Sequence, residues 1–391
     1  MTHTFGIPLA AVLLAGMSNP SAWAAQLDAP LEQQDLFVSG TGGYHTYRIP
    51  ALLTTRRGSV LAFCEGRKLG RSDAGDIDLL RRRSSDGGKT WSAQQVIWDD
   101  STNTCGNPCA VLDEQTGVVW LLLTHNLGGD KEDAIIRRTA VGTRTVWVCR
   151  SDDEGVSWSK PVEIAASVKD STWSWYATGP GIGIQLRHGL QRGRLVIPCD
   201  HSYELDNTGS KETAQGSHVI FSDDHGKTWQ RGGVVRPNMD ECQVVELADG
   251  RGTLLLNMRS YAGRRRRAES VSHDGGLTWS APQDQPQLIE PVCQASLMRY
   301  SWPVDGDVSR LLFSNPADAK HRRSMTVRLS RDECKTWPDS RVLHDGPAAY
   351  SCLAKLPDGR VACLYECGRS NAYERITFAA FGLTELCNGA R

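Results

Sequence analysis

Three clusters of chemically capable residues stand out in this 391-residue chain. The first is acidic: Ser72-Asp73-Ala74-Gly75-Asp76-Ile77-Asp78. A carboxylate near a reacting bond can deliver a proton and later recover one. Ile77-Asp78-Leu79-Leu80 alternates like a strand, which gives Asp78 a structural role. Asp73 falls on the loop before it, where an acid can approach a leaving atom; Asp76 and Asp78 are its rivals. The second cluster is basic, Arg264-Arg265-Arg266-Arg267. It reads as a solvated hairpin, with local steering of acidic ligands as the lesser alternative. The third is the glycine-rich run from Gly179 to Gly183. It lacks the strand–turn–helix setting that a nucleotide-binding glycine motif requires.

Other chemistries find little support. The 12 cysteines show no Cys/His spacing suited to zinc, so no metal is expected. Cys105 and Cys109, Cys242 and Cys293, and Cys363 and Cys367 sit in apolar or strand-like stretches. Buried free thiols are the reading favoured for them. Basic and acidic residues balance at 44 against 45. The chain as a whole therefore advertises no affinity for nucleic acid or anionic membranes. An anionic ligand must be caught by a local cluster.

The elements that would position such a cluster are announced by a repeat. Ser84-Ser85-Asp86-Gly87-Gly88-Lys89-Thr90-Trp91 returns in altered form at Ser151–Trp158, Ser222–Trp229, Ser272–Trp279 and Ser330–Trp337. The starts lie 67, 71, 50 and 58 residues apart, a period that signals a repeat architecture. Ser and Asp side chains bond nearby backbone N–H groups and close a tight turn. Gly supplies a positive φ. Trp is expected to tuck back against the base of its own turn. The fifth copy has Cys334 where the others have Gly, which predicts strain or a changed turn.

Between these boxes run short strands such as Gly117–Thr124, Arg194–Pro198, Thr253–Asn257 and Arg360–Tyr365, and no long helical periodicity. Short strands at this period fit four-stranded propeller blades. The expectation is an all-β, six-bladed β-propeller. Ile7–Met17 is a short apolar run, followed by Ala22-Trp23-Ala24. That pattern predicts a signal peptide over residues 1–24 and a secreted or periplasmic protein, with one domain over 25–391. No later run of 18 apolar residues predicts a membrane span.

Tyr47-Arg48-Ile49-Pro50 together with the boxes resembles the sialidases (neuraminidases), across essentially the whole chain after residue 24. The resemblance implies an exo-α-sialidase that hydrolyses terminal α-linked sialic acid from glycans with retention, without cofactor. It implies three arginines for the substrate carboxylate. Arg48 matches the first, Arg259 in Leu256-Asn257-Met258-Arg259-Ser260 the second, and Arg322 the third, with Arg323 and Arg328 nearby. Guanidinium forks suit the task because they are always charged and match carboxylates bidentately. Glu366 matches the residue that holds the first arginine. By position Asp73 matches the acid, Tyr350 the nucleophile and Glu241 its base, with Glu246 as alternative to Glu241. Arg67, Asn107 and Tyr176 match segments around the substrate.

A tyrosine nucleophile has a physical rationale. A carboxylate would approach a carbon that already bears a carboxylate, and like charges repel most strongly in a low-dielectric site. A neutral phenol avoids this but is weakly nucleophilic, so it needs a base. The expected partners are sialylated glycans, with no nucleic acid and no membrane insertion, and a monomer is expected. Two rival readings fit part of the pattern. One is a trans-sialidase; the other is a non-catalytic propeller that binds a glycan or protein partner.

Overall fold

The computed structural model describes residues 28–205 and 212–387. The expected leader, residues 1–24, lies outside them. The described chain is all-β, with helices limited to single short turns at Glu132–Ile136, Ala165–Val168 and Thr384–Cys387 and a 3-10 turn at Pro303–Asp305. No helix among the described residues is long and apolar enough to cross a membrane.

Consecutive strands pair antiparallel as meanders. Thr46–Thr54, Val60–Arg67, Ile77–Ser84 and Gln95–Trp98 form one group. Thr104–Leu112, Val119–Asn126, Thr145–Ser151 and Val162–Glu163 form the next, joined to the first by one parallel pair at Ile77 and Thr104. Trp173–Thr178, Leu195–Glu204, Thr213–Ser222 and Gln230–Val235 follow. Met239–Glu246, Leu254–Ser260, Arg266–Ser272 and Gln283–Ile289 make a closed-off four-stranded sheet. The long strand Asp339–Lys355 is shared: its first half pairs with Arg323–Ser330 and its second half with Val361–Cys367.

The chain is closed by its own N-terminal strand. Glu32–Val38 pairs antiparallel with Arg375–Phe381, so strands from opposite ends of the sequence share one sheet. The strand Thr46–Thr54 packs against both Thr104–Leu112 and Asp339–Lys355. Its burial is continuous from Thr46 to Leu53, as is that of Val60–Arg67 and Val361–Cys367. Strands buried on both faces read as unbroken apolar or mixed runs rather than as alternation. Hydrophobic clusters lie between successive groups, for example Leu52, Val60, Leu80, Leu364 and Phe378.

The boxes close their turns as the side chains dictate. Gly88 N donates to Ser84 Oγ at 2.9 Å and Thr90 N to Asp86 Oδ1 at 2.9 Å. Thr90 Oγ1 donates to Asp86 Oδ2 at 2.5 Å. These bonds hold Asp86 ionised, with its pKa pushed down to about 2. The fifth box keeps the same pattern, with Cys334 N donating to Ser330 Oγ at 3.0 Å. Of the two outcomes expected for Cys334, the turn keeps its shape and the strain falls on the residue. Cys334 takes φ 67, and its buried side chain packs with Phe313, Leu311 and Trp337. A left-handed residue costs about 1–2 kcal/mol, which this packing offsets.

The tryptophans differ from expectation. Trp91 does cap its own turn, its Nε1 donating to Gly88 O at 3.1 Å. However, their rings mainly bridge to the preceding group. Trp158 meets Phe63 edge-on at 5.7 Å, and Trp229 meets Trp120 at 6.5 Å. The polar bonds already close the turn, so the indole is free to bury its area between sheets. The basic run is also split by strand alternation. Arg264 pairs with Asp284, whereas Arg267 is fully buried and pairs with Glu290 at 2.9 Å. All eleven cysteines whose side chains are described are buried and free.

The box geometry makes a direct prediction. Gly226 has φ 84, and an added Cβ would lie 2.2 Å from the Trp120 indole. Gly226→Ala is expected to lower stability by about 2–4 kcal/mol, from the left-handed backbone and the overpacking together. Denaturant titration of the two proteins checks this.

Candidate active site

Most of the residues singled out from the sequence meet near the starts of the strands Thr46–Thr54 and Met239–Glu246, the end of Leu254–Ser260 and the middle of Asp339–Lys355. Glu366 is the support. It is fully buried, and four donors converge on its carboxylate. Arg48 Nε donates at 2.9 Å and Arg48 Nη2 at 3.3 Å. The backbone N–H groups of Ile49 and Tyr350 donate at 2.8 and 3.1 Å. Ile49 sits at φ 62, a strained conformation for a β-branched residue. The bond from its N–H to Glu366 holds it there.

Tyr350 is buried, and three guanidinium groups surround it. Arg48 and Arg322 lie 4.9 and 5.6 Å from its ring centroid. Arg259 Nη1 donates to its hydroxyl at 3.3 Å and to Glu241 Oε2 at 2.7 Å. Arg259 therefore bridges the tyrosine and the glutamate. Burial, and then the charge of Glu241, push the Tyr350 phenol well above its usual range; the three arginines oppose this. The phenol is neutral before substrate arrives.

The three arginines differ in how they are compensated. Arg48 has Glu366. Arg259 has Glu241 and, at 3.4 Å, Asp240. The hydrogen-bond partners of Arg322 are neutral: the Tyr373 hydroxyl at 3.0 Å and Val292 O at 3.2 Å. Its charge is available to an anion. Of the rivals, Arg323 reaches toward exposed Asp345 and Arg328 bonds Asn315.

Asp73 is half-exposed on its loop. Its carboxylate lies 2.7 Å from Arg67 Nη2 and 3.7 Å from Arg48 Nη1. Desolvation raises its proton affinity, but Arg67 and then Arg48 outweigh this and hold it below the usual carboxylate range. Asp78 is turned away, accepting from Tyr44 at 2.5 Å and facing Lys68. Asp76 also pairs with Lys68. Glu246 is buried at the far end of its strand and accepts from the backbone of Arg187 and His188. These rivals are committed to structure.

Two residues expected at the site are placed differently. Tyr176 is fully buried among Trp173, His218 and Cys199 and does not face the arginines. Asn107 is also buried, with its amide oxygen accepting from Arg144 and its backbone O from Thr178 at 2.6 Å. Its side chain is spent inside the protein.

Several groups at the site carry no sequence signal. The Tyr373 ring lies 4.3 Å from the Arg48 guanidinium, and the exposed Tyr261 hydroxyl accepts from Arg259 at 2.6 Å. Asp200 and Asp240 are buried behind Glu241. Burial, and then the charges of Asp240 and Glu241, push the Asp200 carboxyl well above the usual carboxylate range. Among the described residues no group of His, Cys, Asp and Glu is arranged to hold a metal.

Known proteins share this arrangement of sequence and fold. A family model described as a BNR repeat-like domain matches residues 58–363. The chain is 35% identical to a sialidase of Micromonospora viridifaciens, over 96% of this chain and 59% of that protein. It thus spans about three-fifths of that relative's length. It is 31% identical to sialidase-3 of Mus musculus, over 87% of this chain and 92% of that one. Among solved structures, a Hadza microbial sialidase aligns with TM-score 0.78 and 32% identity, over 90% of this chain and 69% of that one.

The Glu366 carboxylate can be tested on its own. Removing one partner of a buried ion pair leaves the other uncompensated, at a cost of about 3–5 kcal/mol. Glu366→Gln is expected to lose stability on that scale, measured by denaturant titration, because an amide cannot serve Arg48 and two backbone N–H groups together.

Proposed function

This chain belongs to the sialidase family, and on that premise we propose that it is an exo-α-sialidase. It removes terminal α-linked sialic acid from glycans by hydrolysis, with retained configuration, on a six-bladed propeller domain spanning residues 25–391. Six blades are supported by the partition of the strands into antiparallel groups. The first strands of neighbouring groups also meet, Thr46–Thr54 with Thr104–Leu112, Met239–Glu246 with Ser296–Ser301, and Ser296–Ser301 with Asp339–Lys355, which returns to Thr46–Thr54; Leu195–Glu204 supplies the contact to Met239–Glu246. The leader over residues 1–24 makes it an exported, secreted or periplasmic protein.

The observation that carries the activity is the convergence of Arg48, Arg259 and Arg322 on Tyr350. Three cations around one neutral phenol form a site for a substrate whose anomeric carbon bears a carboxylate. In this mechanism the arginines clamp that carboxylate. Its negative charge replaces part of the field that the arginines exert on Asp73, which raises the proton affinity of Asp73 in the complex. Asp73 then protonates the leaving glycosidic oxygen. The Tyr350 oxygen attacks the anomeric carbon, and its proton passes to Glu241. A tyrosine nucleophile is a recognised departure from the two-carboxylate scheme of glycosidases, and sialidases are the example cited for it. Water, deprotonated by Asp73, then displaces the Tyr350 oxygen, which takes its proton back from Glu241, and sialic acid is released with two inversions and net retention.

Hydrolysis of a fluorogenic α-sialoside tests the reading. Wild type is expected to turn over, and Tyr350→Phe to lose about 10³-fold or more in kcat while keeping its fold. Absence of turnover by folded wild type would return the chain to a binding role. Sialyl transfer to added lactose in place of release would make it a trans-sialidase.

The pH dependence follows from Asp73. Free Asp73 is held ionised below the usual carboxylate range, so productive binding takes up a proton. Accordingly kcat/KM, which reports the free enzyme, is expected to fall as pH rises through the depressed range of Asp73, and the same limb of kcat, set in the complex, is expected at higher pH. Asp73→Asn, assayed with an activated aryl leaving group that needs no protonation, is expected to lose that limb.

A further inference from the structure

Asp73 is positioned through a buried arm that extends well behind the site. Its nearest partner is Arg67, at 2.7 Å. Arg67 is itself buried and donates through Nε and Nη2 to Glu65 Oε2, at 2.9 and 2.6 Å. The two residues lie on one face of the strand Val60–Arg67 because they are two positions apart. The other oxygen of Glu65 accepts from the backbone N–H of Asn107 at 2.9 Å. This contact requires close approach: a Cβ on Gly106 would lie 2.3 Å from Glu65 Oε1. Asn107 takes φ 52 where the pairing of Thr104–Leu112 slips. Arg144 holds the Asn107 amide oxygen there.

Arg144 is the unusual member. It is buried, yet its hydrogen-bond partners are all neutral: Thr124, Asn126 and Asn107. The Trp175 ring covers it at 4.1 Å. A buried guanidinium without a carboxylate of its own is costly. Its charge is balanced only at a distance, first by Glu65 and then by Glu132, Asp73 and Asp200, and along the arm Arg144, Glu65, Arg67 and Asp73 alternate in sign. Resting on the sialidase reading above, we propose that Arg144 and Glu65 are positioning residues: through Asn107 and Arg67 they fix where Asp73 sits and how readily it gives up its proton to the leaving group.

The charges that face Asp73 come from several elements: Arg67 and Arg48 directly, Arg144 and Glu65 through the arm, and Glu132 from the helix Glu132–Ile136. Burial, and then Asp73, push Glu132 up to about 7. Profiles are therefore recorded in a Glu132→Gln background, which removes its titration. The measurement is the pH profile of kcat/KM for sialyllactose and for an activated aryl α-sialoside.

Arg144→Met takes away a positive charge, so the alkaline limb is expected to move to higher pH by about half a unit or more. Glu65→Gln takes away a negative one, and the limb is expected to move to lower pH. Arg144→Lys keeps the charge and is expected to restore the limb toward its original position. Both neutral variants are expected to lose at least tenfold more kcat/KM on sialyllactose than on the aryl substrate, which needs little acid help. If Arg144→Met fails to fold, the opposite shift in Glu65→Gln and the Arg144→Lys profile decide the matter. Folded variants with unmoved limbs and equal losses on both substrates would overturn the proposal. Turnover by wild type and leaving-group sensitivity in Asp73→Asn, recorded alongside, keep that outcome distinct from failure of the sialidase reading itself.

Discussion

Glu366 has no contact with solvent and satisfies donors from two distant stretches of chain. One is Arg48 with the N–H of Ile49; the other is the N–H of Tyr350. These stretches lie about 300 residues apart and meet only because the N-terminal strand closes onto the C-terminal sheet. A buried carboxylate must be paired and hydrogen-bonded to remain charged. That requirement fixes the backbone of Ile49, orients the Arg48 fork and sets the position of the Tyr350 main chain. The site inherits its geometry from the closure of the fold through this one group.

Charge ordering extends that logic outward. Cations and anions alternate from Glu366 to Arg48 to Asp73, and onward through Arg67 to Glu65. On the opposite side Arg259 stands between Tyr350 and Glu241. The neutral phenol at the centre is consistent with this balance. Burial and Glu241 oppose its ionisation, while the arginines make the anion accessible once Glu241 can take the proton. A carboxylate in its place would already be bound to these arginines and would compete with the substrate's own. Arg322, with its neutral partners, is the guanidinium left uncompensated for an incoming anion.

The boxes were legible because their chemistry is local. Ser, Asp, Thr and Gly within eight residues close the turn by themselves, and that pattern survives even at Cys334. Arg48, Asp73, Glu241, Arg259, Arg322, Tyr350 and Glu366 were nameable from their motifs, although their mutual distances were not. What escaped was set by packing across the fold. Tyr373, Asp200 and Arg144 belong to no local pattern and matter only through residues from other sheets. Tyr176 was matched only through the resemblance of its segment, and because Trp173–Thr178 is buried throughout the match does not say which of its side chains faces the site. The run Arg264–Arg267 misled for the complementary reason. Its composition reads as solvated, but strand alternation turns Arg267 inward to Glu290.

The central claim is that the bond to the sugar is made by Tyr350. A sialic acid carrying fluorine at its anomeric and neighbouring carbons slows breakdown of a covalent intermediate more than its formation. Incubating the protein with this reagent and mapping the adduct by peptide mass spectrometry locates the nucleophile directly. The account predicts one sialyl adduct per chain, on the peptide containing Tyr350 and absent from Tyr350→Phe. An adduct on Glu241 or Asp73, or rapid turnover of natural substrate by a protein that never forms one, would contradict it.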